Sequence, residues 1–424
     1  MQNDRKQIFA WALYDWGNSA FATTVMAGFF PIFFRQYWSG EVDPALPTFH
    51  LGVANSLASV IIVALAPVLG AIADRGSAKK RFLLFFTLLG VVMTGGLYFV
   101  QAGHWQMAVA LYVLATIGFS GGIIFYDSLL VAVADESRID KVSALGYALG
   151  YLGGGLLFAV NVWMTLSPET FGLRDSAHAV QVAFVTVAVW WAVFAIPVLW
   201  LVPEPRAGGA RGGRAVREGL RQLVATFREI RRLKVVFLFL VAYWLYIDGV
   251  DTIVRMAVDY GMARGFDVNS LILALLLTQF VAFPAALAFG YIGQRWGPKL
   301  GIYIALVVYI GVTIYAVFME RTAEFFVLAV AIGLVQGGIQ SLSRSYYARL
   351  IPKDKAAEFF GFYNMMTKFA AVLGPISMGA LALLLGDPRY AILAVLVLFV
   401  AGGTLLWFVD EEEGRRMARE LERV

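Results

Sequence analysis

The sequence is a succession of apolar runs, most too long for one buried helix of a soluble domain, each closed by a short polar or basic break. Crossing the hydrocarbon core takes about 20 apolar residues in a helix that satisfies its own backbone. Twelve stretches meet that requirement, approximately 8–35, 50–73, 82–101, 106–133, 143–166, 179–202, 235–258, 268–292, 300–319, 324–347, 358–385 and 389–409. Composition agrees: 60% of the 424 residues are hydrophobic and 15% charged, and mean hydropathy is +0.73, an excess that no soluble globule needs. An all-α polytopic membrane protein follows. The first run continues past Phe34, with no small-residue cleavage site after a short apolar core, so it is expected to stay as a span.

Basic residues alternate from loop to loop. One side carries Arg5 and Lys6, the cluster Arg75, Lys79, Lys80 and Arg81, and the Arg-rich segment 203–234, whereas the other has only Arg35, Arg174, Arg264, Arg321 and Arg389. The positive-inside bias places both termini in the cytoplasm, and the chain is expected to be a multi-pass protein of the cell inner (plasma) membrane. The net charge of +5 therefore reports topology and calls for no nucleic-acid partner. With no cysteine, and with His50, His104 and His178 all in predicted loops, no metal site and no other cofactor is expected. No catalytic residues are expected either. The partners in view are the lipid bilayer, a small-molecule substrate and protons, with the chain acting as a monomer.

The segment 203–234 divides the chain into an N-terminal six-helix bundle, 1–202, and a C-terminal bundle with a cytoplasmic tail, 235–424. Its second half sets Val216, Leu220, Leu223, Val224, Phe227 and Ile230 at helical spacing against Arg217, Arg221, Arg228 and Arg231. Two readings stay open there: an in-plane helix on anionic headgroups, or a solvated linker helix.

The halves share a loop motif. "GAIADRGSAKKR" follows the second span and "GYIGQRWGPKLG" the eighth, setting Gly70/Gly290, Arg75/Arg295 and Lys79/Lys299 each 220 residues apart. Gly70 lets two helices approach, and the basic cluster can serve helix C-termini. Six plus six helices with this duplicated loop resemble the major facilitator superfamily, which implies two pseudo-twofold-related six-helix bundles. The resemblance implies that Asp74 and Arg75 bind helix ends across the interface and favour the outward-facing state. The second copy has Gln294 in place of the acid, so a weaker charge latch is expected there.

Within that superfamily the chain is similar to the vacuole effluxer family, whose fungal members are autophagy-related vacuolar amino-acid exporters. The stretches that carry the likeness are "YDWGNSAFATTV" (14–25), "GYALGYLGGG" (146–155), "YWLYIDGVDTI" (243–253), "QGGIQSLSRSYYARLIP" (336–352) and "FFGFYNMMTKFAAVLGP" (359–375). Asp127 is a departure, standing where the family leads one to expect Asn.

Ionisable groups inside a membrane cost several kcal/mol unless paired or hydrated, and so mark candidate sites. In the superfamily arrangement helices 1, 4, 7 and 10 line the central cavity, and Asp15, Asp127, Asp248 with Asp251 and Arg255, and Arg344 fall on those helices in turn. Only Lys368, on helix 11, lies elsewhere. Asp15 comes about 11 Å into its helix and Asp248 about 20 Å into its own, so Asp248 is the first choice for proton coupling, with Asp251 and Asp127 beside it. Asp251 and Arg255 share a face one turn apart and make a natural ion pair. Gln336, Gln340, Ser341 and Arg344 form a polar stripe on helix 10. A guanidinium there can grip a carboxylate bidentately, so Asp15, Asn18, Arg255, Gln336, Gln340, Arg344 and Lys368 are the candidate substrate-binding residues. The same charges can equally be interhelical salt bridges that break and re-form between states. Gly70, Asp74, Arg75, Lys79, Gly290 and Arg295 make up the gating motif. Trp11, Trp16, Trp38, Tyr98 and Trp407, near span ends, read as interfacial belt residues. Tyr243, Trp244 and Tyr246 are placed to face a substrate.

The reading these features support is a proton-coupled secondary transporter working by alternating access, with export of amino acids or similar small polar solutes implied by the family resemblance. An exporter of amphipathic or cationic compounds stays open beside it. A non-transporting receptor or an intramembrane enzyme finds no metal pair and no nucleophile–base constellation to support it.

Overall fold

The computed structural model describes residues 2–39, 45–204, 221, 234–263, 265–369 and 392–422, and among them every regular element is helical. In chain order the helices are α1 (Gln2–Ala20), α2 (Ala45–Gly76), α3 (Lys79–Gly96), α4 (Trp105–Ser128), α5 (Ile139–Leu166), α6 (Ser176–Leu201), α7 (Lys234–Ala263), α8 (Val268–Trp296), α9 (Pro298–Phe318), α10 (Thr322–Leu350), α11 (356–369), α12 (Ala394–Trp407) and α13 (Glu411–Glu422). Beyond Ala20 the first helix runs on to Trp38 through two wider, π-helical stretches, Phe21–Phe29 and Phe34–Trp38. Pro31 lies between them, and its missing N–H breaks the regular hydrogen-bond ladder at that point.

Ten helices among the described residues are long and apolar enough to cross a membrane, and α12 with α13, bent by 67°, makes an eleventh if counted as one span. The expected spans 358–385 and 389–409 lie only partly within the described residues, and the amphipathic stretch from Val216 to Ile230 falls outside them apart from Arg221.

Helix starts are written in local chemistry. Asp175 accepts the His178 N–H at 2.7 Å to cap α6, Asp267 accepts the Ser270 N–H at 3.1 Å to cap α8, and Glu324 folds back onto the Arg321 N–H at 2.8 Å at the start of α10. Each pairs a donor that has no intrahelical partner.

α5 is central to the packing: it lies against α1, α8 and α10. Its glycines make this possible, since small residues let transmembrane backbones approach closely. The apolar side chains left outside, such as Val60, Val307 and Trp200, suit contact with lipid.

Two expectations need correction. Trp11 and Trp38 are fully buried, and their indole N–H groups donate to Tyr126 O at 3.0 Å and Val100 O at 3.2 Å. Neighbouring backbone carbonyls satisfy them where a lipid interface was expected. Trp16 and Tyr98 are half-buried, and Trp407, 72% exposed, keeps the expected position. Nor are all the histidines in loops: His50 belongs to α2, stacked on Trp105, and His178 to the first turn of α6. His178 lies in the polar first turn of α6, which a hydrophobicity window leaves out, whereas His50 lies five residues beyond Ala45, at the start of the expected span 50–73.

Candidate functional site

Arg344 lies in the last two turns of α10, with 2% of its side chain exposed. Burial in a membrane helix demands that every guanidinium N–H find an acceptor and that the charge be matched. Nη1 donates to Asp127 Oδ1 at 3.0 Å and to Asp15 Oδ2 at 3.5 Å. Nη2 donates to Ser143 O at 2.8 Å and Nε to Ser143 Oγ at 2.9 Å. The guanidinium also lies over the rings of Tyr147, at 4.3 Å, and Trp11, at 4.9 Å, where cation–π attraction is favourable.

The acids have further partners. Tyr126 donates to Asp15 Oδ2 at 2.8 Å, and the Asn364 amide donates to Asp127 Oδ2 at 3.3 Å. α1, α4 and α5 are thereby tied to α10 and α11 around one buried cation and two buried anions. Gly146 keeps the space open: a Cβ there would come within 2.8 Å of Asp15 Oδ2 and of Tyr126 Oη.

Asp15, Asp127 and Arg344 are thus brought together from the three helices expected. Ser143, Tyr126, Tyr147 and Asn364 complete the cluster and were not anticipated. They are neutral, and their signal was a polar atom in an otherwise apolar run.

The other candidates are spread over α1, α7, α10 and α11. Asp248 is fully buried on α7 and accepts from Thr252 at 3.3 Å. Asp251 is half-buried one turn on, and Lys368 is half-buried on α11. Arg255 is helical, but its side chain lies outside the described residues. Asn18 is buried one turn from Asp15. Gln340 accepts from Tyr151 at 2.6 Å, joining α10 to α5, and Gln336 lines an apolar cavity of about 80 Å³ between α7, α8, α9 and α10. Tyr243 and Tyr246 are buried: Tyr243 stacks on Tyr363 at 4.2 Å, and Tyr246 shares a hydrogen bond with Ser343 at 2.8 Å. Trp244 is half-buried.

A second set of contacts also joins the two parts of the chain. Asp74 accepts the backbone N–H groups of Ala357, at 3.2 Å, and Glu358, at 2.8 Å, in the first turn of α11, and pairs with Lys79 at 2.7 Å. A carboxylate there meets orphan helix donors and the positive end of the helix dipole. Gly70 lies against the Ala357 carbonyl so closely that any Cβ would collide with backbone. In the second copy Gln294 donates to Ser137 O at 2.8 Å, just before α5, and Gly290 packs on Ala144. One neutral hydrogen bond replaces the two accepted by Asp74. Arg295 is exposed, and the Arg75 side chain lies outside the described residues.

Two lysines of the duplicated loops, Lys80 and Lys299, serve helix C-termini. Lys80 donates to Val202 O at 3.0 Å after α6, and Lys299 to Trp407 O at 2.9 Å and Val409 O at 3.0 Å after α12. Beside Lys80, burial raises the Glu204 carboxyl above its usual range, although it accepts the Lys79 N–H. Across the face, the Ser137 hydroxyl and two backbone N–H groups hold Asp135 below the usual range.

Residues 50–137 and 131–419 match the profile of the family described as "Vacuole effluxer Atg22 like". The "Uncharacterized MFS-type transporter YxiO" of Bacillus subtilis (strain 168) is 39% identical over 423 residues, spanning 99% of this chain and 98% of its own. "Autophagy-related protein 22" of Yarrowia lipolytica (strain CLIB 122 / E 150) is 26% identical over 92% of this chain and 80% of its own. Among solved structures, the proton:xylose symporter XylE superposes with a TM-score of 0.73 at 12% identity, covering 99% of this chain and 98% of that one, and the human organic anion transporter MFSD10 with 0.71 at 13%, covering 95% and 99%. Those two likenesses show a major facilitator fold. The chain is a multi-pass membrane protein of the transporter class and belongs to the vacuole effluxer Atg22 like family.

Proposed function

We propose that this chain is a secondary active transporter working by alternating access, exporting amino acids or similar small polar solutes across the cell inner membrane in a proton-coupled cycle. Two six-helix bundles, 1–202 and 235–424, rock about the segment 203–234, with both termini cytoplasmic. The observation that carries the reading is the buried Asp15–Arg344–Asp127 cluster, which ties the two parts of the chain by an exchangeable ion pair. Asp74 at the start of α11 supports a reading in which the cytoplasmic side is closed, the outward-facing state.

A zwitterion suits that cluster. Its carboxylate can take the place of the acids on Arg344 while its ammonium takes the place of Arg344 on Asp15 or Asp127. The net buried charge is unchanged by the exchange, and neither Arg344 nor the displaced acid is left without an opposite charge. Asn18, Gln336, Gln340, Arg255 and Lys368 line the remaining path, and the protons move through Asp248, with Asp251 and Asp127 in support. The burial of Asp248 on α7 supports that role.

An exporter of amphipathic compounds finds support in the apolar cavity beside Gln336. Because Arg344 also ties the closed side, its loss affects both readings, so the decisive test is ligand choice. A thermal-shift screen of the purified protein against amino acids, short peptides, sugars and lipophilic cations, followed by flux in proteoliposomes with and without a pH gradient, should single out amino acids. Stabilisation by lipophilic cations alone would overturn the amino-acid reading.

A further inference from the structure

The last helix, α13, is packed into the closed face. Gly414 lies against Leu350 and Val235, and Ala418 is buried. Between α13, the end of α10 and the turn that precedes α5 there is a cavity of about 340 Å³. Arg349, Lys353, Arg415 and Arg419 contribute to its wall, against the single acid Glu136.

The ion pairs around it are loose or shared. Glu136 lies 3.6 Å from both Arg415 and Arg419, and Glu411 is 3.6 Å from Arg349 while also pairing with Arg415. Arg349 has a second partner in Asp140. The Nε atoms of Arg349 and Arg415 are nonetheless buried with no hydrogen-bond acceptor among the described residues. A buried charged donor without an acceptor is costly. An anion with several oxygens can bridge the guanidinium and ammonium groups that line the cavity, and the planar guanidinium fork matches phosphate geometry.

We propose that this cavity binds a phosphate group, and that the bound anion fastens α13 to the end of α10. Bound there, it bridges Arg349 and Lys353 with Arg415 and Arg419, all from the C-terminal part of the chain, and takes the place of Glu136 on the two α13 arginines. The phosphate can belong to a soluble molecule or to a lipid headgroup, since the cavity lies where the spans end. The inference does not depend on which solute is transported.

The test uses the full-length protein in nanodiscs of phosphatidylcholine, titrated calorimetrically with inorganic pyrophosphate at constant ionic strength. Saturable one-to-one binding is expected, weakened about tenfold or more in the Arg415→Gln/Arg419→Gln variant, the usual scale for lost charge-assisted contacts. Lys353→Gln, at the end of α10 and outside α13, should weaken it as well, and it guards against a double variant that merely loses α13. Nanodiscs containing phosphatidylglycerol separate the sources: a headgroup in the site lowers the apparent pyrophosphate affinity of the wild type, whereas a site for soluble phosphate is unaffected. Absence of saturable binding together with no lipid dependence, or binding that both variants retain, would overturn the proposal.

Discussion

Arg344 and Asp127, 217 residues apart in sequence, meet at 3.0 Å in a buried ion pair, and Asp15 joins them at 3.5 Å. Removing one partner of such a group leaves uncompensated charge in a low-dielectric site, at a cost of about 3–5 kcal/mol. Arg344→Gln is therefore expected to lower the melting temperature sharply and to abolish flux. Adding Asp15→Asn and Asp127→Asn should recover much of the stability without the flux, because no buried charge is then left unmatched. Melting curves in detergent and proteoliposome flux check both, and a triple variant no more stable than the single one would show that the three charges do not act as a unit.

The two loop motifs should differ in strength. Asp74→Asn gives up charge at a helix start, and a loss of about 1–2 kcal/mol would shift the ratio of closed to open forms roughly 5- to 30-fold. Gln294→Ala removes one neutral hydrogen bond and should shift it less. The chain has no cysteine, so spin labels at Lys141→Cys and Glu420→Cys, both exposed, report the separation directly. Equal shifts in the two variants would contradict the asymmetry.

Two acids outside the spans should show opposite pH signs. Asp135 is held below its usual range, so its stabilisation is present above the unfolded value near about 3.9 and is lost as pH falls through the lower folded value. The difference in melting temperature between wild type and Asp135→Ala should shrink on acidification. Glu204 is raised by burial, so whatever it contributes is present below the unfolded value near about 4.3 and is lost as pH rises through the folded one. Glu204→Gln should be at least as stable as wild type at neutral pH. A pH-independent difference for both variants would contradict the assignment.

Proton coupling is tested at Asp248. Asp248→Asn keeps the size of the side chain and its place beside Thr252 while removing its ability to titrate. Flux driven by a pH gradient should disappear while substrate exchange without a gradient persists. Gradient-driven flux unchanged by the substitution would exclude this carboxylate as the coupling site.

Much of the cluster was legible in the sequence. An Asp or Arg inside an apolar run has few ways to be tolerated, so Asp15, Asp127 and Arg344 announced themselves. Ser143, Tyr126, Tyr147 and Asn364 did not, because neutral polar residues are tolerated in transmembrane helices for many reasons and carry no spacing signal. Trp11 shows the complementary failure. Its position near a span end fitted an interfacial belt, yet it faces α4 and Arg344. Which side of a helix meets lipid and which meets protein is set by the neighbours.

The sequence by itself determined the membrane-spanning class, most of the helix limits and the duplicated loop, because hydrophobic length, caps and repeats are local or periodic properties. It also identified the charges that a membrane interior cannot leave alone. Tertiary structure decided their partners: that Arg344 lies between two acids from α1 and α4, that Asp74 holds the start of α11, and that α13 folds back over the closed face. Those contacts join residues far apart in the chain, and their energies depend on distance and burial, which only the packed helices define.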